Sequence, residues 1–165
     1  MKNYATFYGK ILKTLDKYPI LTLAILGYNW LVTKLMYLLF PILLIFLFQE
    51  NRRDFWKIFF VSGLAFFGVS LFRKLLNQPR PYETWDVVPI MSRKGKGECF
   101  PSRHVFSATM ISMCFLSQFV WLGTLLLIAS LGLAVCRVLG GVHYSKDVIA
   151  GCLIGIFCGL VLFLC

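Results

Sequence analysis

The sequence predicts an all-α, polytopic membrane helix bundle of five spans plus an N-terminal interfacial helix. Three observations carry that reading. Apolar residues make up 59% of the 165 positions, against about 45–50% in soluble domains. Charged residues are 15%, where about 25% is usual. Several apolar runs also reach the roughly 20 residues that a helix needs to cross a bilayer. A soluble chain of this length has too little interior to hide so much apolar surface. A soluble globular enzyme, a disordered chain and a collagen-like chain are therefore excluded. The length fits one domain, residues 1–165. The formal charge is +10, from 17 Lys and Arg against 7 Asp and Glu. In so apolar a chain this points to cytosolic anchors or an anionic ligand, and the hydrophobicity argues against nucleic acid.

The elements follow in order. Residues 4–17 mix aromatic and apolar positions with Lys10, Lys13 and Lys17, which suits a helix lying in the membrane interface. Lys10, Lys13, Asp16 and Lys17 also interrupt any signal-peptide core. Residues 19–28 are apolar but too short to span alone, so 1–29 reads as an interfacial segment. The alternative is six spans, with 19–49 folded as a hairpin. Residues 30–49 form a span in which Lys34 can snorkel and Pro41 can kink the helix. Residues 55–76 form the next, ending on Arg73 and Lys74. Residues 105–136 are 32 uncharged positions, too long for one span at about 1.5 Å per residue. Ser117, Gln118 and Gly123 divide them into two antiparallel helices, about 102–118 and 121–139. Residues 148–165 complete the set.

Cys114, Cys136, Cys152, Cys158 and Cys165 sit in or beside apolar runs, and Cys99 lies in a polar loop. No zinc-ligand spacing occurs among the six, which read as small buried hydrophobes.

Three polar segments join the spans: 50–54 (ENRRD), 77–101 and 137–147. The drawn topology opens the last two on one face and ENRRD on the other. The positive-inside rule makes ENRRD cytoplasmic and the long loop outward, in a cytoplasmic membrane. That outward face is itself basic, which a ligand would explain.

Arg73, Arg80, Arg103 and Arg137 all fall at or near span ends on that face, and so do both histidines, His104 and His143. Ionisable residues at such positions are usually functional. Forked arginine donors match phosphate oxygens. A histidine pair beside them suggests phosphoryl transfer, one as nucleophile and one as general acid. His143 and Asp147 are four apart, so a helical turn puts them on one face. Asp147 could accept from one ring nitrogen and free the other to attack phosphorus. The segment FPSRH opens a helix with Ser102 as its N-cap, and the free N–H groups of that turn favour an anion. Pro79, Pro81 and Pro101 restrict the loop, and Gly140 and Gly141 permit close backbone approach before His143. Taken singly, each has a plain structural reading as anchor, cap or surface pair. Their convergence on one face favours a site.

These residues resemble the type-2 phosphatidic acid phosphatase family, membrane lipid phosphate phosphatases related to vanadium haloperoxidases. The family's first motif is Lys, six residues, Arg-Pro. Here RKLLNQPRP supplies Arg80-Pro81, with Arg73 at the first position and Lys74 one residue off. The second, Pro-Ser-Gly-His, is PSRH at Pro101 to His104, with Arg103 for Gly. The third, Ser-Arg, five residues, His, three residues, Asp, is CRVLGGVHYSKD, with Cys136 for Ser and Arg137, His143 and Asp147 in register. The motifs span residues 73–147. The resemblance implies His143 as the nucleophile, Asp147 as its orienting partner and His104 as the acid for the leaving group. It implies Arg73, Arg80, Ser102 and Arg137 as holders of the phosphoryl oxygens, with Lys74 a possible substitute for Arg73. It also implies no cofactor and no metal, and the chain has no carboxylate cluster for Mg²⁺. Arg103 adds a donor that would suit a diphosphate.

The expected function is therefore hydrolysis of a lipid phosphate or polyprenyl diphosphate at the membrane surface. Undecaprenyl diphosphate, phosphatidic acid and phosphatidylglycerol phosphate are the candidate partners. A non-catalytic lipid-phosphate binder or transporter would need the positive charge but not a nucleophile with its orienting acid. A phosphotransferase would begin with the same phosphohistidine.

Overall fold

The computed structural model describes residues 4–85, 87–92 and 95–164. Its elements are α1 (Tyr4–Lys17), α2 (Pro19–Glu50), α3 (Arg52–Leu76), the short α4 (Pro81–Thr84), α5 (Arg103–Leu116), α6 (Val120–Leu139) and α7 (Ser145–Leu164). No strand occurs among the described residues. Cys165 lies outside them.

Four segments are long and apolar enough to cross a membrane: α2, Arg52–Thr84 (which contains α3), α6 and α7. α5 has 14 residues, a length of about 21 Å, short of a hydrocarbon core of about 30 Å. It sits in the middle of the bundle instead. Val105, Phe106 and every residue from Ala108 to Phe115 on it are buried. The surrounding helices turn their large apolar side chains outward, as Leu64, Phe67, Trp121 and Phe157 do. For a bundle whose solvent is lipid, that inversion is what burial favours.

The hairpin alternative for 19–49 is not formed. Residues 19–50 make one helix, and Pro19 opens it at a position that needs no N–H partner. Gly27, Tyr28 and Asn29 look like a break in sequence, but α6 holds them. The Tyr28 hydroxyl donates to the Ala129 carbonyl at 3.1 Å, and its ring covers Gly132, where a Cβ would stand 2.8 Å from it. Pro41 lies inside the same helix without ending it. Residues 19–29 are thus the first turns of α2, and only α1 stands apart.

Local sequence sets the other ends. Asn51 caps α3, its side-chain oxygen accepting from the N–H groups of Arg53 and Asp54. Asn77, at φ 39, closes the same helix in the left-handed conformation that asparagine tolerates. Between α5 and α6 the turn is tight because Gly123 lies against the Leu116 backbone, with no space for a side chain. The hydroxyl oxygens of Ser112 and Ser130 lie 3.0 Å apart and link the two helices in the core.

α7 packs on α5 through Gly151, Gly155 and Gly159, one stripe at four-residue spacing. A Cβ on Gly151 would stand 2.8 Å from the Ser102 carbonyl oxygen, and one on Gly155 2.8 Å from the Thr109 Cβ. Such small-residue stripes let membrane helices meet at their backbones. Gly155→Leu should therefore cost about 3 kcal/mol through overpacking. Gly68→Leu, where a Cβ meets nothing within 4 Å, should leave the melting temperature in detergent unchanged. Equal melting of the two variants would contradict this packing.

Candidate active site

Where α3 and α6 end and α5 and α7 begin, a cavity of about 490 Å³ opens between Arg73, Arg80, Arg103, His104, Arg137 and His143. Leu26, Asn29 and Trp30 of α2 form its opposite wall. The cavity draws its basic side chains from α3, α5 and α6, the loop after α3 and the loop before α7, so it exists only when the bundle is assembled.

At its floor, His143 and Asp147 are almost fully buried. The His143 Nδ1 lies 3.4 Å from Asp147 Oδ2. With Nδ1–H donated to the carboxylate, the lone pair sits on Nε2, the opposite edge of a ring that lines the cavity. Burial pushes the His143 pKa down to about 4, and Arg137 and Arg80 add to the effect against a partial counterweight from Asp147. The imidazole is therefore held in its neutral form at physiological pH. The same Oδ2 accepts from the Tyr144 N–H at 2.9 Å and from the Cys99 thiol at 2.7 Å.

The loop carrying His143 is clamped from outside. Gly141 takes φ 74 and lies directly under the Tyr8 ring of α1. The Tyr8 hydroxyl oxygen accepts from the Ile90 N–H at 3.3 Å. Tyr4 packs edge-on against Tyr144 with centroids 4.9 Å apart. α1 is thus docked on the face where the site opens.

Each arginine is held differently. Arg73 is buried and donates through Nη1 to the carbonyls of Pro101 and Cys99, while its Nε has no protein partner. Arg80 donates through Nε to the Gly97 carbonyl at 3.0 Å. Arg137 reaches the Asn29 side-chain oxygen at 3.5 Å, and its Nε is also without a partner. Arg103 is exposed at the rim. Ser102 stands at the N-cap position, but its hydroxyl makes no cap bond. That hydroxyl is fully buried and unpartnered, and the Ser102 N–H donates to the Asp147 carbonyl at 2.9 Å. Buried donors left without partners are rare, and Arg73 and Arg137 each keep one at this cavity, while the unpartnered Ser102 hydroxyl lies one residue before the lining Arg103 and is not itself part of the lining. Lys74 is exposed and does not line it. Glu83 and Tyr82 are structural: the carboxylate accepts from the Gly97 and Arg80 N–H groups, and the phenol donates to the Gly95 carbonyl.

Sequence reasoning missed Cys99, Asn29, Met91 and Tyr8. Of these only Cys99 carried a signal, as a cysteine in a polar loop two residues before the Pro-Ser pair. Cys99, His143 and Asp147 offer ligand atoms within 4.8 Å of one another. Their spacing does not fit an ion. The 2.7 Å between Sγ and Oδ2 is well under the roughly 3.5 Å that tetrahedral zinc with bonds of about 2.3 and 2.0 Å would impose. The three form a hydrogen-bonded group.

The PAP2 superfamily model matches residues 54–165. The chain belongs to the PAP2 superfamily. The match runs from the first turn of α3 to the end and takes in every residue of the cavity floor. Among solved structures, LpxE of Aquifex aeolicus is similar with a TM-score of 0.72 and 28% identity, over 90% of this chain and 88% of that one. A transmembrane PAP2-type phosphatidylglycerolphosphate phosphatase from Bacillus subtilis also superposes with a TM-score of 0.72. At 18% identity, over 99% of this chain and 86% of that one, it shares the fold. A search of curated protein sequences returns no significant match. Within this PAP2 chain, Arg73 occupies the cavity where the family pattern has lysine, and Lys74 points elsewhere. Arg73→Lys should weaken binding of inorganic phosphate about tenfold through loss of one charge-assisted bond, and Lys74→Ala should leave it unchanged. Calorimetric titration of both variants checks this, and a stronger effect at Lys74 would contradict it.

Proposed function

We propose that the chain is a membrane lipid phosphatase that hydrolyses a phosphate monoester or diphosphate of a lipid through a phosphohistidine at His143. The observation that carries the reading is a neutral, carboxylate-backed imidazole at the floor of a cavity walled by four arginines. In this mechanism the His143 Nε2 attacks phosphorus and the bond to the lipid oxygen breaks. His104 gives its proton to the departing oxygen. Water then attacks the phosphohistidine, His104 takes a proton from it, and phosphate leaves with His143 restored. Asp147 keeps the ring in one tautomer throughout. Arg73, Arg80, Ser102, Arg103 and Arg137 hold the phosphoryl oxygens and offset the charge that builds in the transition state. The phosphate's own charge supplies the counterion that an imidazolium at His104 needs among those arginines.

A second cavity supports a lipid substrate. From Arg103 and His104, a cleft of about 180 Å³ continues past Ser107 to Tyr37 and Phe66. There it meets an apolar groove of about 290 Å³ walled by Phe40, Phe59, Phe106, Met110 and Ile111. A phosphate in the first cavity would leave an attached hydrocarbon chain facing that groove. In this reading α5 makes the fifth crossing inside the bundle, and ENRRD faces the cytoplasm. The active site then opens outward and meets lipid phosphates of the outer leaflet. One protein that shares this fold is by name a phosphatidylglycerolphosphate phosphatase, and phosphatidylglycerol phosphate, phosphatidic acid and undecaprenyl diphosphate are the substrates to compare. Arg103, at the rim where the family pattern has glycine, favours the diphosphate.

The test is phosphate release from those three lipids in detergent with EDTA present. Release should persist with EDTA and fall by at least about 10³-fold in His143→Ala. Arg103→Gly should lower the rate on the diphosphate more than on the monoesters. No release from any lipid by folded protein would overturn the reading, and release surviving His143→Ala would overturn the nucleophile.

A further inference from the structure

We propose that Cys99 is a positioning residue of this site: its thiol aims the Asp147 carboxylate at His143 and, through its backbone, ties that carboxylate to Arg73. The proposal rests on the phosphatase reading above and assigns a function to a residue outside the three motifs.

Cys99 is fully buried and unoxidised, and it is bonded on every side. Its N–H donates to the Gln78 carbonyl at 2.9 Å. Its carbonyl accepts from Arg73 Nη1 at 3.4 Å. Its Sγ lies 2.7 Å from Asp147 Oδ2 and 3.5 Å from His143 Nδ1. Of the three groups on Asp147 Oδ2, the thiol and the Tyr144 N–H are close, and the imidazole at 3.4 Å is the most distant. Asp147 Oδ1 has no partner. The orientation of the carboxylate is therefore set by Cys99 and the Tyr144 backbone, and His143 meets an acceptor already aimed. Burial and the neighbouring carboxylate both push the Cys99 thiol up, so the sulfur keeps its proton and remains a donor.

A thiol suits this place chemically. An S–H donor takes up part of the acceptor capacity of Asp147 Oδ2, so it aims the carboxylate and also restrains its pull on a second proton at His143. Sulfur is also large and apolar enough to seal the floor from water. Without the thiol, the carboxylate is freer to hold a protonated imidazole, and His143 becomes protonated at higher pH. The other charged and titratable groups around this pair are Arg73 from α3, Arg80 from the loop, Arg103 and His104 from α5, Arg137 from α6, and Tyr4 from α1, with Tyr144 beside them.

The experiment compares wild type, Cys99→Ser, Cys99→Ala and Cys99→Val, with His143→Ala as reference, in the lipid phosphatase assay across pH. Val fills the space without a donor, so it carries the test if Ala does not fold. Cys99→Val and Cys99→Ala should lose about 10–100-fold in kcat with KM within about twofold, as expected when a reacting group is misaimed. The acid limb of kcat/KM should move to higher pH in both. Cys99→Ser, which restores a donor, should recover kcat to within about threefold and return the acid limb toward wild type. A donor-free variant as active as wild type, with an unmoved acid limb, would overturn the proposal. So would a folded Cys99→Ser no better than Cys99→Val. Failure of the phosphatase reading looks different: wild type itself would release no phosphate, or His143→Ala would match it.

Discussion

The site depends on how closely α7 approaches α5. At Gly151 and Gly155 the helices meet with no side chain between them, and the Ser102 carbonyl lies against Gly151. That contact brings the start of α5 onto the start of α7. The Ser102 N–H then reaches the Asp147 carbonyl at 2.9 Å, and His104 and His143 come to line one cavity. Any side chain on the stripe would separate the helices and pull the two histidines apart. The basic cavity is thus a consequence of helix packing, and its charged residues ride on ends that the packing fixes.

Electrostatics then shapes what the site can do. Four guanidiniums around one cavity repel each other and disfavour cationic histidine, and the protein tolerates this because the carbonyls of Cys99, Pro101 and Gly97 and the Asn29 amide hold three of them. In the proposed function a phosphoryl group would supply the missing negative charge, and its binding would relieve a repulsion built in by folding. Burial and the same field keep His143 neutral. In the proposed mechanism, positive charge serves both to bind the phosphate and to keep His143 in the form that can react.

Much of this was legible in the sequence, and the reasons for the remainder are physical. Hydropathy located α3, α6 and α7 to within a few residues, because lipid demands long uncharged runs. The spacing of Arg137, His143 and Asp147 survives into three dimensions because a short loop and one helical turn fix it. Counting back from Arg80 selects Arg73 over Lys74, and the helix turns Arg73 into the cavity and Lys74 outward. Tertiary contacts were invisible. Tyr28 keeps α2 continuous by lying over Gly132 of α6, a partner far away in the chain. Ser102 reads as a cap, yet its hydroxyl makes no cap bond. Cys99 reads as a small hydrophobe because its partner, Asp147, is 48 residues away.

The central claim is that His143 carries the phosphoryl group between lipid and water. Rapid acid-free quenching during turnover of a ³²P-labelled lipid phosphate tests it most directly, followed by mapping of the labelled peptide. The account predicts a base-stable, acid-labile label on His143 that is absent from His143→Gln. Turnover with no label at His143, or label persisting in His143→Gln, would contradict it.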